Sequence, residues 1–442
     1  MSRPAMGPVR VGILGMGTVG GGTVRVLRRN AGEIARRVGR EIVIVQAAVR
    51  NPVRLQGLDL GCPVTSDPFA VVRNPEIDVV VEVMGGIEPA RSLILEAIAA
   101  GKHVITANKA LLAEHGNAIF AAAQEQGVVV AFEAAVAGGI PIIKAIREGL
   151  AGNRIQWLAG IINGTSNYIL TRMRTAGRDF PSALAEAKRL GYAEADPGLD
   201  IDGGDAAHKL TLLASIAFGI PVDFAHCHVE GIRNLDRVDV VYAEDLGYRI
   251  KLLGIAKRRA DGVELRVHPT LIPEGHLLAS VEGPFNAVLV DGDAVGQTLY
   301  YGRGAGAEPT ASAIVADLVD VARTLTADPS NRVPHLAFQP DCMSPLPLLP
   351  MAAVESAYYL RIHAHNRPGV LAQVATVLAE YGISIEALVQ KEAGAAADVP
   401  IVLLLHRCRE GDLDAALARI QSLPVVTRPV LRLRVEGLGE SA

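Results

Sequence analysis

The chain has 442 residues, of which half are apolar and a fifth are charged, and its formal net charge at pH 7 is −4. This composition excludes a disordered chain, and the charge gives no reason to expect nucleic acid or an anionic membrane surface as a partner. The four cysteines are scattered and form no CxxC pair, which indicates a cytoplasmic protein with neither a zinc site nor a disulfide framework. The longest apolar run, residues 127–143, is too short to span a membrane and contains Glu133 and Pro141.

Strands alternate with helices over the first third of the chain. The apolar run Val9–Leu14 leads through Gly15-Met-Gly17-Thr18-Val19-Gly20 into a helical stretch. Such alternation predicts a parallel sheet with helices on both faces. The remaining predicted strands are 41–49, 77–83, 102–106 and 127–135, and the helices are 88–100 and 111–126.

The glycine-rich turn indicates a dinucleotide site. Glycines at 15, 17 and 20 would let the backbone approach a pyrophosphate at the helix N-terminus, whereas the alternative is a packing turn. The second strand ends at Arg50 and not at an acidic residue. Because an arginine can meet a 2′-phosphate, the sequence favours NADP over NAD; a solvated arginine is the alternative.

Two further segments place charges near the expected cleft. Lys109 follows the strand that ends at Thr106, and ligands of open α/β sheets bind at the carboxyl ends of strands. Glu133 lies in an apolar strand before an irregular turn, Gly138-Gly-Ile140-Pro141, whose carbonyl oxygens would suit a hard cation such as Na⁺ or Ca²⁺. The alternative is a helix start in which Glu133 accepts backbone hydrogen bonds.

The middle of the chain is predicted to be an α+β domain. Residues 163–168 form a turn that opens a helix, and a glycine-rich loop, 302–306, feeds a helix from Pro309 to Leu325. This second loop at a helix N-terminus suggests that the chain returns to the cofactor cleft at Gly306. The other predicted elements are a helix at 142–150 and strands at 155–162, 263–270, 279–281, 287–290 and 298–301.

Residues 191–209 carry five carboxylates and open an apolar helix with Asp205 and Lys209 one turn apart. On a helical wheel these two charges share the side of Leu212 and Ile216, while the opposite side is small or polar. Burying such a pair costs several kcal/mol per ion, about ten times what an exposed pair contributes. The placement indicates a role in chemistry or ligand binding, with a buried structural ion pair as the alternative.

The C-terminal part follows a proline-rich linker, residues 328–356. A helix opens at Gly369-Val370-Leu371 and stops at Gly382. The order βαββαβ predicts a ferredoxin-like module. Its strands are predicted at 358–364, 383–390, 400–407 and 430–435, and its second helix at 413–421.

The motifs together resemble those of homoserine dehydrogenases, over about residues 8–330. The tail, with Asn366-Arg-Pro-Gly-Val-Leu371, resembles an ACT domain, an amino-acid-sensing module. The motifs that carry the resemblance are 15–20, Thr106-Ala-Asn-Lys109, Gly138-Gly-Ile-Pro141, 160–170, 191–197 with 205–209, and 302–312.

The resemblance implies NAD(P)H-dependent reduction of L-aspartate 4-semialdehyde to L-homoserine, on the route to threonine, methionine and isoleucine. It assigns Lys109 and Lys209 as the catalytic lysines, either of which could protonate the substrate oxygen. Glu194 would hold the substrate's amino group, with Asp200 and Asp205 as supporting acids.

The resemblance also implies cofactor, cation and effector sites. A monovalent cation, Na⁺, would have a structural role, and threonine would act through the ACT module. ACT modules often have Asp at position 366, and Asn366 removes a charge that would counter the effector's ammonium group. The implied residues are Gly15, Gly17, Thr18, Val19, Gly20, Arg50, Thr106, Lys109 and Gly306 for the cofactor, Glu133, Val136, Gly138 and Ile140 for the cation, and Asn366, Gly369, Val370 and Leu371 for the effector.

The expected protein is an α/β enzyme that forms a homo-oligomer, a dimer or a tetramer. Two alternatives stay open: a sensor that binds NADP without turnover, and a dehydrogenase acting on another amino-acid aldehyde. The expected domains are a Rossmann domain (1–139 plus 309–330), a catalytic and dimerisation domain (140–308), a linker (331–356) and an ACT domain (357–438).

Overall fold

The structure is a computed structural model that describes residues 7–50, 60–329, 332–390 and 398–438. Its described residues form two compact units, which we call the first and the second unit. The first lies within residues 1–156, 208–225 and 286–345, and the second within 157–207, 226–285 and 346–442.

The secondary structure follows the chain in this order. The strands are β1 Val9–Leu14, β2 Ile42–Ala48, β3 Val64–Thr65, β4 Val79–Glu82, β5 His103–Thr106, β6 Val130–Ala131, β7 Ile155–Ile161, β8 His228–Val229, β9 Tyr248–Arg258, β10 Val263–Pro273, β11 Phe285–Gly292, β12 Gly296–Arg303, β13 Glu355–His365, β14 Ile385–Val389, β15 Asp398–Arg409 and β16 Leu431–Val435. The helices are α1 Thr18–Arg29, α2 Ala31–Val38, α3 Pro68–Arg73, α4 Ala90–Ala99, α5 Lys109–Glu125, α6 Ile142–Lys144, α7 Gly164–Thr175, α8 Phe180–Arg189, α9 Gly198–Ile201, α10 Gly204–Phe218, α11 Arg237–Asp245, α12 Ala307–Thr324, α13 Val370–Glu380 and α14 Glu410–Gln421.

The first unit contains a six-stranded parallel sheet in the order β3-β2-β1-β4-β5-β6. Its central strands are short apolar runs because both faces of the sheet are covered, and Val11, Ile13, Val79 and Ile105 are fully buried. The predicted parallel α/β fold is confirmed.

Helix α12 returns to this sheet and packs against α1. The contact requires a glycine, because a Cβ at Gly22 would lie 2.3 Å from the carbonyl oxygen of Ala307. Near the same helix end, Arg29 and Glu308 form an ion pair at 2.9 Å. The predicted return of the chain after the second glycine-rich loop is therefore confirmed, with the helix beginning two residues earlier than expected.

The second unit contains a mixed sheet in which the neighbours run β7-β9-β10-β16-β13-β15-β14. Residues 355–435 form the predicted βαββαβ arrangement, and the strand order β16-β13-β15-β14 is that of a ferredoxin-like fold. We call this part the C-terminal module. Strand β16 also pairs in parallel with β10, with Thr270 opposite Arg434, so the module continues the sheet of the preceding domain.

Buried ion pairs accompany this continuous sheet. Arg361 on β13 binds Asp239 on α11 with an Nε–Oδ1 distance of 2.6 Å, and Asp239 is fully buried. Arg434 on β16 is also fully buried, and it binds Glu230 of the preceding domain and Glu410 of α14. Removing one partner of such a pair costs about 3–5 kcal/mol, because the other charge is left buried and uncompensated.

Some predicted elements are wrong. The strand expected at 127–135 is only Val130–Ala131, because the chain turns at Glu133 to cap α6. The strand expected at 279–281 belongs to a 3₁₀ turn, Leu277–Ser280, in which the side chain of His276 accepts the N–H of Leu278. An apolar run of three residues is too short to show a periodicity, so the sequence cannot distinguish a strand from a 3₁₀ turn here.

Other elements were missed or simplified. Strand β9 was not predicted. It is buried on both faces, and its apolar run is interrupted by Lys251, a residue only 3% exposed that donates to the carbonyl oxygen of Val281. The helix expected at 142–150 is a single α turn followed by a π-helical segment, Ala145–Gly149. Part of the predicted linker is held in place, since the N–H of Leu349 donates to the carbonyl oxygen of Val263.

A membrane-crossing helix, which must be both long and apolar, does not occur in the part of the chain that the structure describes.

One buried and one partly buried histidine give the first unit an acid-sensitive edge. His103 Nδ1 accepts the N–H of Val129, and His335 Nε2 accepts the N–H of Val130. Burial lowers the pKa of each imidazole to about 4. The unfolded chain, with pKa values near 6.5, therefore binds more protons between pH 6.5 and 4, and stability falls as the pH falls through this window. The loss is about 3 kcal/mol per histidine as an upper value.

We expect His103→Asn and His335→Gln to flatten this pH dependence, because an amide oxygen can accept the same N–H without titrating. The measurement is amide hydrogen exchange at Val129 and Val130 at pH 7 and pH 5, corrected for the intrinsic rate. His115→Asn, on α5, is the control. An acid sensitivity that persists in the double variant would show that these histidines do not cause it.

Candidate active site

A cavity of about 520 Å³ lies at the carboxyl ends of β1, β2 and β4. This edge of a parallel sheet, where the order of the strands reverses, is where open α/β sheets bind their ligands. The residues that line the cavity are Gly15, Met16, Gly17, Ala48, Val49, Arg50, Ser66, Pro68, Val83 and Met84.

The three motif glycines have distinct roles. Gly15 has φ +99°, and a Cβ there would lie 2.8 Å from the carbonyl oxygen of Val83. A Cβ at Gly20 would lie 2.1 Å from the carbonyl oxygen of Gly15. Gly17 precedes α1 as its N-cap and has nothing within 4 Å of its Cβ position, which leaves open space for a ligand at the helix N-terminus. The motif thus combines a tight turn, close packing and an open approach, which fits a pyrophosphate.

Arg50 supplies the charge of this cavity. It is exposed, and it is the one ionisable side chain among the described residues that line the cavity. An NAD site of this class would have a carboxylate for the ribose 2′-hydroxyl, whereas an arginine suits a 2′-phosphate. The residues present therefore fit a nicotinamide dinucleotide.

Glu82, which the sequence analysis missed, fixes the loops beside the cavity. Its carboxylate is fully buried. Oε1 accepts the N–H groups of Met84 at 2.8 Å and Gly85 at 3.2 Å, and Oε2 accepts the hydroxyl of Thr106 at 2.6 Å. One side chain thus ties the loop after β4 to the end of β5. The available signal was a carboxylate at the end of an otherwise apolar strand.

Lys109 is the first residue of α5, and its neighbour Asn108 fixes its position. Asn108 Oδ1 caps the helix by accepting the N–H of Leu111 at 3.2 Å, and its Nδ2 donates to the carbonyl oxygen of Gly86 at 2.6 Å. Lys109 is partly exposed at the end of β5, so it lies at the same edge of the sheet as Gly15.

In the second unit, the side-chain amide of Asn163 joins two of the predicted acids. Its Nδ2 donates to Asp200 Oδ1 and to Asp205 Oδ2, both at 2.7 Å. Its Oδ1 accepts the N–H of Ser166 and so caps α7, while the Ser166 hydroxyl donates to the backbone oxygen of Asp200. Asn163 is 5% exposed and Asp205 is 4% exposed. The sequence analysis treated Asn163 only as part of a turn.

Helix α10 carries Asp205 and Lys209, and both charges are buried as the helical wheel predicted. The opposite side of α10, whose residues are small or polar, does not face solvent, because Thr211 and Ser215 are each only 1% exposed. The helix is buried all round, so its small and hydroxylated residues allow close packing and do not mark a solvent face. Ser215 Oγ is satisfied by the carbonyl oxygen of Thr211.

Glu194 differs from the other predicted acids because it is exposed. It belongs to the loop 191–197, which is held at two backbone oxygens. Thr165 Oγ1 donates to the carbonyl oxygen of Tyr192 at 2.7 Å, and Lys188 Nζ donates to that of Ala195 at 2.9 Å. An exposed carboxylate on an anchored loop can receive a cationic group without the cost of burial.

The predicted cation turn places two buried carboxylates together. Both oxygens of Glu133 accept backbone N–H groups, from Ile143 and Lys144, which is the helix-start alternative foreseen from sequence. The N–H of Glu133 donates to Asp317, and burial raises the pKa of both acids, that of Glu133 to about 7. The raised pKa values show that burial disfavours the charged form of both carboxyl groups, a penalty that a nearby cation would reduce.

The backbone of the same turn is strained at Ala137, which has φ +53°. The next residue, Gly138, has φ +45°, and a Cβ there would lie 2.4 Å from the carbonyl oxygen of Gly304. Backbone carbonyl oxygens are ligands that a hard cation accepts, so the residue types of this turn are compatible with a small monovalent cation.

The predicted effector residues lie at the start of α13. Gly369 is its N-cap with φ +85°, and Val370 packs into the core of the C-terminal module. Asn366 is exposed, and Leu371 is 38% exposed.

The strand order of the first sheet, its glycine-rich turn and the cavity at its carboxyl edge define an NAD(P)-dependent oxidoreductase. Comparison with known proteins agrees. Residues 15–133 match the family described as homoserine dehydrogenase, NAD binding domain; residues 141–319 match homoserine dehydrogenase; and residues 358–425 match the ACT domain. The chain belongs to the homoserine dehydrogenase family, and its C-terminal module is an ACT domain.

Individual relatives cover nearly the whole chain. A homoserine dehydrogenase of Pseudomonas aeruginosa is 63% identical over 98% of this chain and 100% of its own. The crystal structure of a homoserine dehydrogenase from Thiobacillus denitrificans has a TM-score of 0.94 at 64% identity, covering 98% of this chain and 99% of its own. A hyperthermophilic archaeal homoserine dehydrogenase, solved in complex with NADPH, has a TM-score of 0.61 at 26% identity and covers 71% of this chain and 97% of its own.

We expect Gly22→Ala to weaken NADPH binding and lower the melting temperature, because the added Cβ meets the backbone of α12. Gly32→Ala is the matched control: nothing lies within 4 Å of its Cβ position, and alanine is favoured over glycine in a helix by about 1 kcal/mol. It should raise the melting temperature slightly. The measurements are NADPH titration and thermal unfolding, and equal effects of the two substitutions would contradict the packing argument.

Asn163→Asp tests the amide that joins the two acids. It keeps the oxygen that caps α7 but replaces the donor with a third carboxylate, so Asp200 and Asp205 lose their shared hydrogen bonds. We expect kcat/KM to fall by about tenfold to a hundredfold, which corresponds to the loss of one or two charged hydrogen bonds. NADPH affinity should stay unchanged. Steady-state kinetics and NADPH titration check this, and an unaltered kcat/KM would show that the amide is dispensable.

Proposed function

We propose that this enzyme reduces L-aspartate 4-semialdehyde to L-homoserine with NADPH, and that the reaction is reversible. The observation that carries the proposal is the pair of carboxylates, Asp200 and Asp205, held by one amide at the start of the helix that carries Lys209. A buried acid, Asp205, one helical turn before a buried lysine is a costly arrangement, and a substrate with an ammonium group and a reactive aldehyde oxygen would use both kinds of charge.

A bound nicotinamide cofactor would supply the hydride for the aldehyde carbon. The oxygen of the carbonyl then gains negative charge and takes a proton, for which Lys209 and Lys109 are the candidates. A lysine ammonium lowers the barrier both by stabilising the developing alkoxide and by donating the proton. Lys209 is favoured as the donor because it is buried, where solvent screens its charge less than that of the partly exposed Lys109.

Carboxylates would bind the substrate's ammonium group. Glu194, on its anchored loop, is the proposed contact, with Asp200 and Asp205 as supporting acids. This preference for a cationic amino group separates the proposed substrate from simple aldehydes, which carry no ammonium group for these carboxylates to bind.

NADP is the proposed cofactor, and NAD is the lesser one, because Arg50 supplies a positive charge to the nucleotide cavity. Its other proposed contacts are Gly15, Gly17, Thr18, Val19, Gly20, Thr106, Lys109 and Gly306. A sodium ion is proposed at the turn of Glu133, Val136, Gly138 and Ile140, where it would neutralise buried carboxylate charge and stabilise the turn.

Regulation by threonine is proposed through the ACT domain, at Asn366, Gly369, Val370 and Leu371. The protein is proposed to be a cytoplasmic homo-oligomer, a dimer or a tetramer, that serves the synthesis of threonine, methionine and isoleucine. Asn366 predicts weak threonine binding, because its amide can hydrogen-bond an ammonium group but cannot neutralise it.

The test is NADPH oxidation in the presence of L-aspartate 4-semialdehyde. We expect Lys209→Ala to lower kcat about a thousandfold with little change in NADPH binding, as for removal of a general acid. The control is Lys144→Ala, whose ammonium pairs with Asp320. Lys109→Ala, measured beside them, identifies which lysine gives the proton.

Two further comparisons in the same assay separate the alternatives. A preference for NADPH over NADH that Arg50→Ala abolishes would support the cofactor assignment, and addition of threonine tests the effector. A wild-type enzyme that binds NADPH without turning over would instead be the sensor considered from the sequence.

A further inference from the structure

A second cavity, of about 400 Å³, lies within the second unit between the ACT domain and the segment 230–235. It is separate from the start of α13, where the proposed threonine site lies. The catalytic-domain wall consists of Glu230, Gly231, Asn234, Leu235 and Pro269, and the ACT wall consists of Asp414, Leu417, Val430, Leu431, Arg432 and Leu433.

The walls of the cavity carry one cationic side chain, Arg432, two carboxylates, Glu230 and Asp414, and an apolar surface. Arg432 binds Glu410 at 2.9 Å and Asp414 at a shorter distance, and it lies 3.5 Å from Glu230. The Asp414 side chain is 55% exposed, whereas that of Glu410 is 1% exposed, so the pair with Asp414 is the one that solvent can reach. Leu235 and Leu417 supply apolar surface beside these charges.

We propose that this cavity binds an aliphatic L-α-amino acid. Its carboxylate would replace Asp414 on Arg432, and its ammonium group would bind the carboxylate of Asp414. The exchange conserves charge, because one internal ion pair gives way to two ion pairs with the zwitterion. The side chain of the ligand would then cover Leu235 and Leu417.

Binding here would reach the substrate acids through the segment 230–235. The N–H of Ile232 donates to the carbonyl oxygen of Ile201 at 2.8 Å. Arg233 binds Asp202 with two hydrogen bonds, of 2.8 and 2.7 Å. A Cβ at Gly231 would lie 2.2 Å from the same Ile201 oxygen, so the two segments cannot move independently.

Asp200 belongs to the helical turn α9 that ends at Ile201, and it is held by Asn163. Any displacement of the segment 230–235 therefore moves the backbone next to a substrate acid. The ACT domain also contacts this segment, because Arg434 donates two hydrogen bonds, each of 2.9 Å, to the carboxylate of Glu230. The cavity thus lies where the ACT domain can change the KM for the substrate. This coupling rests on the proposed function, but binding to the cavity does not.

The first experiment is calorimetry on the full-length protein with L-isoleucine, L-methionine and L-threonine, with their D-enantiomers as controls. We expect saturable binding of at least one L-amino acid. Asn234→Trp, which fills the cavity from an exposed position, and Asp414→Lys, which removes the ammonium partner, should each weaken it at least tenfold. Asn366→Ala at the start of α13 should leave it unchanged. Absence of binding to the wild type, or loss of binding only in Asn366→Ala, would overturn the proposal.

The second experiment measures the KM for aspartate semialdehyde with and without the amino acid that binds. We expect the amino acid to change KM more than kcat, and Arg233→Ala to reduce this response by at least half while the amino acid still binds. Arg233 is exposed, so its removal should not unfold the protein. An unchanged response in Arg233→Ala would overturn the coupling. Calorimetry needs no turnover, so a failure of the proposed reaction would be distinct from a failure of this site.

Discussion

The side-chain amide of Asn163 is the interaction on which the acidic site depends. Asp200 and Asp205 both accept a hydrogen bond from the same Nδ2 group, so one side chain sets where the two carboxylates lie. The same side chain caps α7 through its oxygen. Formation of this helix and alignment of Asp200 with Asp205 are therefore one event, and the site cannot loosen without the end of the helix loosening too.

Two other buried carboxylates, Glu82 and Asp239, also hold two separate segments of the chain together. Glu82 joins two loops at the edge of the first sheet, and Asp239 joins α11 to the ACT strand through Arg361. Such groups contribute little net stability compared with apolar replacements, because desolvation offsets their attraction. What they supply is a single relative position for the segments that they connect. A reaction that needs a hydride donor, a proton donor and an ammonium site in fixed geometry benefits from that precision.

The parallel sheet, the glycine turn and the ferredoxin-like tail were predictable because each has a local period or a turn with a required backbone conformation. Burial of Lys209 was predictable from its place on the helical wheel. The roles of Asn163 and Glu82 were not predictable, because their side-chain partners are 37 and 42 residues away for Asn163 and 24 residues away for Glu82, and a local sequence pattern does not reveal contacts at such separations. Strand β9 was missed for a related reason: Lys251 looks like a surface residue until its distant carbonyl partner is known.

The pairing of β16 with β10 has a consequence for how the chain reaches its folded state. Strand β10 is made about 160 residues before β16, counted from the paired positions Thr270 and Arg434. Until the later strand is synthesised, Thr270 and Leu271 of β10 lack their strand partner, while β8 pairs with the neighbouring residues 266 and 267. Arg266 likewise lacks Glu436, to which it is bound in the finished protein. The catalytic sheet is therefore completed only when the ACT domain folds. Removing the ACT domain would leave a catalytic domain with an open strand edge, which is a site for aggregation, and with a buried arginine short of one carboxylate.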